Sequence, residues 1–287
     1  MKKVLSVAAA PDMHWVGDGF PVLGMISPGR DPAAADPFLM LDYAAPMTFT
    51  PADHRRGVGQ HPHRGFETVT VVYQGELEHR DSTGAGGLIG PGDVQWMTAA
   101  AGILHEEFHS EAFAKSGGAM EMVQLWVNLP AKHKSAAPGY QTLLKADIPV
   151  VTLPDGSGHL RVIAGDYQGH IGPARTFTPL NLWDVKIASG KTAELSVPEG
   201  QTVMLAVLHG SVQVNGTHHA GEAQLVTLDR SGTAIQIAAD REATVLLMSG
   251  APIGEPVAAH GPFVMNSIGE IKQAMLDFNN GKFGAIG

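Results

Sequence analysis

Short runs of β-branched and apolar residues, each closed by a turn, constrain the fold of this chain more than any other feature. The run at 67–74 (E-T-V-T-V-V-Y-Q) ends at Gly75, and alternation resumes at 76–79, so this stretch predicts a hairpin. Turn clusters at 81–87 (D-S-T-G-A-G-G) and 90–93 (G-P-G-D) lead into further short strands. Strands that recur about every 8–12 residues, without a long helical period between them, predict a β-sandwich or small barrel.

The strand pattern returns in the second half of the chain, which predicts two β domains. The returning runs are 160–163, 182–187, 202–208, 212–214, 223–228, 234–238 and 244–248. A weak internal repeat, in which 71–78 resembles 206–213, supports two copies of one fold. Proline, glycine and a lysine/histidine run interrupt regular structure between the halves. We therefore predict an N-terminal domain at 1–134, a linker at 135–149 and a C-terminal domain at 150–287.

Length and composition fit this organisation and exclude several classes of protein. At 287 residues the chain has room for about two domains of roughly 150 residues. A net charge of -9 gives no basic footprint, so we expect no direct nucleic-acid binding. The absence of cysteine excludes disulfides, Fe–S clusters and a thiol nucleophile. No apolar run approaches the ~18–20 residues of a membrane span and the start lacks a convincing signal peptide, so we expect a cytoplasmic protein without a membrane segment.

The clearest predicted helix lies near the C-terminus. Ser267 and Glu270 have the spacing of a capping box, and Gly281 is placed to end the helix. Four apolar residues share one helical face and are expected to pack the helix onto a β domain: Ile268, Ile271, Met275 and Phe278.

Two pairs of potential metal ligands stand out among the 14 histidines and their acidic neighbours. They are His61-Pro62-His63 and His105-Glu106-Glu107. In an extended strand, residues i and i+2 point to the same side about 6.6 Å apart, so each pair offers two donors to one ion if the strands are neighbours. Three neutral imidazoles and a carboxylate suit Fe, Zn, Cu, Ni or Mn, and not the all-oxygen sites of Mg or Ca.

The identity of the carboxylate ligand is open between two glutamates. Glu67 follows His63 by four residues and shares its face if the chain stays extended. Either Glu67 or Glu107 is then the ligand, with the other behind it. A single H-x-H motif is more often a pair of surface or hydrogen-bonded histidines, and it is the second pair of ligand types that favours a metal site here.

Other candidate residues carry weaker signals. Four apolar residues either wall a cavity over the metal or belong to the ordinary core: Phe66, Trp96, Met97 and Met122. His109 is either a rim residue that faces a substrate or a solvated surface histidine. His218 and His219 are adjacent, so on a strand they point to opposite faces, and we expect them to be exposed. The repeat places Ser196 and Pro198 at the positions of the H-x-H motif, so we expect no metal in the second domain.

Six motifs spread along the chain carry a family resemblance. They are D-G-F-P-V (18–22), D-P-F-L-M-L-D (36–42), H-P-H-R-G-F-E-T-V-T (61–70), P-G-D-V-Q-W-M-T-A-A-A-G-I-L-H-E-E (91–107), Q-L-W-V-N-L-P (124–130) and G-E-P-V-A-A-H-G-P-F-V-M-N (254–266). Together they resemble the pirin family of the cupin superfamily, although the basic residue expected after 18–22 is missing. The resemblance implies an all-β bicupin: two tandem antiparallel β-barrels of the jelly-roll type with a short C-terminal helix.

The resemblance also implies a site and an activity. In pirins the metal lies in the N-terminal barrel, and the family's ligands match His61, His63, His105 and Glu107. Glu67 matches the glutamate of the general cupin motif, which pirins keep without using it as a ligand. Iron(II) is the expected metal, and the class also accepts Zn, Ni, Cu or Mn. Bacterial pirins resemble quercetin 2,3-dioxygenases, which implies a flavonol-like substrate and O2, with Glu107 as the base that deprotonates the substrate 3-hydroxyl.

Two other functions fit the same ligands. Pirins are also regarded as iron-dependent, redox-sensing regulators that bind a transcription factor or a metabolic enzyme, so a protein partner is the alternative to a substrate. A third interpretation is a binding or structural bicupin with an adventitious metal. A cavity discriminates between the first two, because an enzyme needs room for a three-ring substrate above the metal.

Overall fold

The computed structural model describes residues 1–27 and 32–287, and strands dominate it, as the sequence predicts. The strands up to residue 145 are β1 (Val4–Ala9), β2 (His14–Val16), β3 (Phe20–Ile26), β4 (Phe38–Phe49), β5 (Gly57–His63), β6 (Phe66–Gln74), β7 (Leu77–Asp81), β8 (Gly86–Ile89), β9 (Val94–Thr98), β10 (Ile103–His109), β11 (Gly118–Asn128) and β12 (Gly139–Leu143). The α-helices are α1 (Pro32–Ala35), α2 (Glu111–Ser116) and α3 (Ile268–Asn279).

Seven of the fourteen later strands follow the predicted runs, and the other seven were not predicted. They are β13 (Val150–Thr152), β14 (Gly158–Ala164), β15 (Asp166–Tyr167), β16 (His170–Ile171), β17 (Leu180–Ile187), β18 (Lys191–Ser196), β19 (Thr202–His209), β20 (Val212–Val214), β21 (His218–Ala220), β22 (Gln224–Leu228), β23 (Ala234–Ala239), β24 (Ala243–Gly250), β25 (Ala258–His260) and β26 (Phe263–Met265).

One compact unit, the first barrel, consists of residues 12–145 and 253–287. Its seven-stranded sheet has the order β12-β9-β6-β11-β4-β3-β2, and its four-stranded sheet has the order β5-β10-β7-β8. Many of the side chains that point inward from both sheets are apolar, so burying them holds the sheets together. The core includes Phe20, Val22, Ala44, Phe49, Val72, Leu77, Ile89, Met120 and Met122.

The other unit, the second barrel, consists of residues 1–11 and 146–252. Its sheets have the orders β1-β22-β19-β24-β17-β14-β13 and β18-β23-β20-β21. These orders repeat those of the first barrel strand for strand, with β19 in the place of β6, β20 in that of β7 and β23 in that of β10. The internal repeat is therefore real, and the two barrels differ in chain order only at one edge, where β1 takes the place that β12 has in the first barrel.

The domain boundaries differ from the prediction at both chain ends. β1 pairs with β22, so residues 1–11 belong to the second barrel, while residues 253–287 belong to the first. The predicted linker at 135–149 contains β12, which pairs with β9 as an edge strand of the first barrel. β12 itself (G-Y-Q-T-L) contains none of the alanines and prolines of this stretch, and as an edge strand it bonds to one neighbour only.

The predicted hairpin at 67–79 is wrong, because β6 and β7 belong to different sheets. β6 pairs with β9 and β11, whereas β7 pairs with β10 and β8. Gly75, with φ of +83°, turns the chain from one sheet to the other, and Gly210, with φ of +74°, does the same between β19 and β20. Glycine adopts positive φ at low cost, so the pattern strand-glycine-strand marks a corner of the barrel here.

The predicted C-terminal helix is confirmed. Ser267 caps α3 by accepting a hydrogen bond from the backbone nitrogen of Glu270 at 3.3 Å, as the capping box requires. Among the described residues, no helix is long and apolar enough to cross a membrane.

The buried face of α3 is rotated from the predicted one. Ile271 is buried as expected, but Ile268, Met275 and Phe278 are exposed. Asp277 accounts for the difference, since its Oδ2 accepts a hydrogen bond from Arg64 Nη1 at 2.7 Å. This ion pair turns a polar residue of the helix toward the barrel, and the apolar pattern alone does not reveal it.

The turn between β5 and β6 is fastened to the C-terminal hairpin. The backbone nitrogen of Arg64 donates to the carbonyl of Pro262 at 3.1 Å, and that of Val264 donates back to Arg64 at 3.0 Å. The buried ammonium of Lys134 donates to the carbonyls of Gly65 at 2.7 Å and Val264 at 2.9 Å. The C-terminal segment therefore fixes the chain directly after the H-x-H motif.

We expect Gly65→Ala to destabilise the protein strongly. Gly65 has φ of +93°, and a Cβ there would overlap the carbonyl oxygen of Val264. Gly84→Ala is the matched control, because Gly84 also has a positive φ of +80° but open space around it. Backbone strain alone costs about 1–2 kcal/mol, and the overlap should cost Gly65→Ala about 2 kcal/mol more in urea unfolding. Equal losses in the two variants would contradict this account.

Candidate metal centre

The four-stranded sheet of the first barrel brings both ligand pairs together. β10 pairs antiparallel with β5, and His105 lies directly opposite His61. Ile103 lies opposite His63, and an irregularity after His105 places Glu107 opposite Val58. The side chains of His61, His63 and His105 therefore project from the same face of adjacent strands.

The three imidazoles form one compact cluster. Their ring centroids are 4.9 Å (His61 to His63), 4.2 Å (His61 to His105) and 4.8 Å (His63 to His105) apart. One ligand nitrogen of each lies within 4.8 Å of the others. Nδ1 of His61 donates a hydrogen bond to the carbonyl of Gly59 at 2.8 Å, which leaves Nε2 available as a metal ligand.

The cluster has the chemistry of a metal site. Nδ1 of His63 and Nε2 of His105 are buried and have no hydrogen-bond partner. Burial, helped by the neighbouring imidazoles, lowers the pKa of His63 and His105 well below the usual histidine range, so both rings are neutral. Neutral imidazoles with unpartnered nitrogens are what Fe, Zn, Ni or Cu bind, and the residues present fit such an ion.

Glu107 lies beside this cluster with both carboxylate oxygens held. Its Oε1 accepts a hydrogen bond from Gln95 Nε2 at 2.9 Å, and its Oε2 accepts one from Gln124 Nε2 at 2.9 Å. Glu107 also forms a second group of possible ligands with His79 and His105, whose ligand atoms again lie within 4.8 Å of one another. The structure thus places Glu107 next to His105 and fixes its orientation through two amides.

A cavity of about 30 Å³ opens beside the cluster. Its polar lining consists of Asp42, His61, Glu107 and Gln124, and its apolar lining of Val16, Phe20, Val22, Val58 and Met122. One water needs ~10–15 Å³ on this measure, so the space suits an ion with a small ligand or one or two waters. Asp42 is a second carboxyl group at the cavity, and burial raises its pKa to about 6.

Glu67 does not share a face with the histidines. Gly65 breaks the extended chain between β5 and β6, so the condition for a shared face is not met. Glu67 Oε1 accepts a hydrogen bond from Thr98 at 2.7 Å, whereas Thr70, three residues along the strand, points to Glu107 at 3.4 Å. Successive residues of a strand alternate, so Glu67 lies on the opposite face of β6 from Thr70.

The four apolar candidates have different positions. Met122 lines the cavity. Phe66 packs against His63, with ring centroids 5.1 Å apart, and stacks on Trp126. Met97 packs in a small core group with Ala99, Ile103 and Tyr140. Trp96 lies opposite Val69 in the sheet and next to Gln95, so it points away from the side that holds Glu107.

The remaining histidines lie outside the cluster. His109 is buried, with Nε2 hydrogen-bonded to the carbonyl of Gly19 at 3.0 Å and its ring against Phe20, Phe49 and Phe113. It is therefore neither a cavity rim residue nor a solvated histidine. His218 and His219 are exposed, as predicted.

The sequence reasoning missed a group of polar residues behind the ligands. His79 and Asp81 on β7, Gln95 on β9 and Tyr140 on β12 form buried or half-buried hydrogen bonds with one another or with Glu107. The i, i+2 spacing of His79 and Asp81 repeats that of the H-x-H motif and was the available signal. Tyr140 lies in the predicted linker, so nothing local connected it with the site.

The second barrel carries apolar residues on the strands that correspond to β7 and β10. Val214 stands in the place of His79, Ile235 in that of His105 and Ile237 in that of Glu107, and all three are buried in its core. Over the described part of the chain, groups of three or more possible ligands occur only in the first barrel.

Two family models match the chain. The Pirin family model matches residues 22–127, and the model of the Pirin C-terminal cupin domain matches residues 182–284. The chain belongs to the pirin family. This pirin is 57% identical over 283 residues to a Pseudomonas aeruginosa protein named "Putative quercetin 2,3-dioxygenase", with 99% of each chain covered. It is 42% identical over 250 residues to a pirin-like protein of Caulobacter vibrioides, covering 86% of this chain and 87% of that one.

A solved structure matches this pirin over its whole length. The crystal structure of quercetin 2,3-dioxygenase from Acinetobacter baumannii superposes with a TM-score of 0.97 at 51% sequence identity, covering 100% of both chains. The expected two-domain cupin fold is therefore confirmed, together with the family.

The pH dependence of stability tests the position of Glu67. Burial raises the pKa of Glu67 from 4.5 to about 7, so the folded protein binds its proton more tightly than the unfolded chain does. The stability linked to this group is then complete below about pH 4.5 and is lost as the pH rises through 7. Glu67→Gln should remove this loss. The free energy of unfolding of the variant relative to the parent should therefore be up to about 3 kcal/mol higher at pH 8 than at pH 4.

Urea unfolding of both proteins at the two pH values measures this difference. The exposed Glu194→Gln is the control and should show no such change. A Glu67→Gln variant whose stability relative to the parent is the same at both pH values would show that folding does not raise the pKa of Glu67.

Proposed function

We propose that this pirin is a metal-dependent dioxygenase that opens the heterocycle of a flavonol such as quercetin with O2, with Fe(II) as the metal. The observation that carries the proposal is the cluster of His61, His63 and His105, in which two buried imidazole nitrogens have no partner. Glu107 completes the proposed ligand set. The quercetin dioxygenase names borne by a Pseudomonas relative and an Acinetobacter structure support the substrate class.

A metal ion held by His61, His63, His105 and Glu107 would supply Lewis acidity to the reactants. The chain contributes neutral imidazoles, since burial keeps His63 and His105 unprotonated. Glu107 is the proposed proton acceptor for the flavonol 3-hydroxyl, and the amides of Gln95 and Gln124 keep its oxygens aimed while it accepts. The reaction consumes one flavonol and one O2 and releases carbon monoxide and the ring-opened ester.

The apolar wall of the cavity has two roles in this proposal. Val16, Phe20 and Val58 exclude water from the side of the cluster that Glu107 faces, which strengthens every polar interaction there. The same wall restricts access, because about 30 Å³ is far below the ~300–1,000 Å³ of pockets that enclose drug-sized ligands. A flavonol therefore binds only if this wall moves or if most of its rings remain outside.

The small cavity favours a second candidate function. An iron-dependent regulator needs a metal whose state alters the protein surface and no space for three rings. In that case, the 30 Å³ beside His61 and Glu107 is already sufficient, and the partner is a transcription factor or a metabolic enzyme.

Substitution of a proposed histidine ligand should remove the metal but leave the fold. We expect His61→Ala or His105→Ala to lower bound iron from about one ion per chain to a trace, because two imidazoles and a carboxylate bind far more weakly than the full set. Metal analysis of protein reconstituted with Fe(II) measures the loss, and circular dichroism checks the β fold. The exposed His219→Ala should keep its metal. Unchanged metal content in both ligand variants would reject the site.

The roles of the two buried glutamates differ in the proposed reaction. With quercetin and Fe(II)-loaded protein, Glu107→Gln should lower the rate of O2 consumption by about 100-fold or more, as loss of a general base does. Glu67→Gln should change it little, since Glu67 lies on the other face of β6. The reverse order would make Glu67 the functional carboxylate.

Controls for this assay are metal-free protein and His105→Ala. Turnover that depends on metal and His105 and releases carbon monoxide supports the dioxygenase proposal. If the protein loaded in turn with Fe, Cu, Ni and Mn gives no turnover, the dioxygenase proposal fails and the regulatory function becomes the better one.

A further inference from the structure

Asp81 lies on β7 opposite the proposed ligand His105, and both of its carboxylate oxygens accept hydrogen bonds. Its Oδ1 accepts from the backbone nitrogen of Thr83 at 2.8 Å and from the Thr83 hydroxyl at 2.6 Å. Its Oδ2 lies 3.1 Å from Nε2 of His79, and both side chains are buried. An ionised carboxylate only accepts, so the proton of the His79 ring is on Nε2.

Gln95 fixes the other nitrogen of His79. The amide group of Gln95 that lies 2.9 Å from Glu107 must be the NH2, since a carboxylate cannot donate, and Tyr140 donates to the opposite amide oxygen at 3.2 Å. The same NH2 lies 3.3 Å from Nδ1 of His79. Nδ1 of His79 is therefore an acceptor, which agrees with a proton on Nε2.

The next group in line is His105. Its Nδ1 lies 3.4 Å from Nδ1 of His79. Because Nδ1 of His79 carries no proton, a hydrogen bond between these two nitrogens requires the proton on Nδ1 of His105. A neutral His105 that carries its proton on Nδ1 has a bare Nε2. Nε2 is the atom of His105 that is buried without a partner.

We propose that Asp81 and His79 form a relay that holds His105 in the tautomer able to bind a metal. Asp81 orients His79, His79 accepts from Nδ1 of His105, and Nε2 of His105 is left bare and aimed at His61 and His63. Gln95 links the relay to Glu107, so one polar network positions two of the four proposed ligands. The inference rests on the proposed metal site but concerns residues behind the ligands.

His79 is a positioning residue and not a ligand, although it forms a group with His105 and Glu107. A ligand nitrogen needs a free lone pair. Both nitrogens of His79 are engaged, Nε2 with Asp81 and Nδ1 with Gln95 and His105. His105 and His63, by contrast, each have an unpartnered buried nitrogen.

The second barrel shows that the fold does not require the relay. Val214, on β20, occupies the place of His79 on β7 and is buried in an apolar core. Buried polar networks are often no more stabilising than apolar residues of similar size, so a merely structural role would be met by valine there too. The relay is confined to the barrel that holds the ligand cluster.

Nitrogen NMR of metal-free wild-type protein tests the relay without any metal. Long-range ¹H–¹⁵N correlation of the histidine rings should show His105 as the Nδ1–H tautomer and His79 as the Nε2–H tautomer. A His105 ring protonated on Nε2 would overturn the proposal. This result stands even if the protein proves to have no dioxygenase activity.

Metal affinity provides the second test. Competition for Zn²⁺ with a chromophoric chelator should show His79→Gln and Asp81→Asn binding one ion per chain about 10–100-fold more weakly than wild type, the usual effect of removing a residue that orients a ligand. His109→Gln is the matched control, because His109 is a buried histidine on the same strand as His105 but has other partners. It should retain wild-type affinity.

Two outcomes would overturn the relay in this experiment. Unchanged affinity in both variants would make the network irrelevant to the metal. Complete loss of the ion in His79→Gln, as expected for His105→Ala, would make His79 a ligand. If wild type binds neither Zn²⁺ nor Fe(II), the proposed metal site fails while the tautomer result still decides the relay.

Discussion

The pairing of β10 between β5 and β7 is the constraint on which the rest of the site depends. On one side it sets His105 opposite His61, and on the other it sets His105 opposite Asp81 and Glu107 opposite His79. A shift of one residue in either register would turn these side chains to the other face of the sheet. Backbone hydrogen bonds between three strands thus assemble both the ligand cluster and its supporting network.

The register is in turn held from outside the sheet by the C-terminal segment. Lys134 bridges the carbonyls of Gly65 and Val264, and Arg64 pairs with Asp277 of α3. Burial lowers the pKa of Lys134 to about 8, because desolvation of the ammonium carries a cost. Three satisfied hydrogen bonds offset that cost. Residues 253–287 therefore complete the first barrel rather than the second, and they do so next to the H-x-H turn.

Strand periodicity explains which parts of the site could be predicted. The spacing of His61 with His63 and of His105 with Glu107 is local, so the sequence indicates which side chains share a face. The choice between Glu67 and Glu107 depends on Gly65, whose positive φ breaks the extended chain, and the residues alone left it open. His79, Gln95 and Tyr140 come from three strands, and only long-range pairing brings them together.

The duplicated fold separates what the barrel needs from what the chemistry needs. Both barrels have the same strand order, yet one has valine and isoleucine where the other has histidine and glutamate. A barrel of this topology is therefore stable with an apolar interior, and the polar interior of the first barrel is not explained by folding. The wall of Val16, Phe20 and Val58 limits the volume of the cavity beside the ligands to about 30 Å³. Whether that wall opens, more than the ligands themselves, separates a flavonol-cleaving enzyme from a metal-dependent regulator.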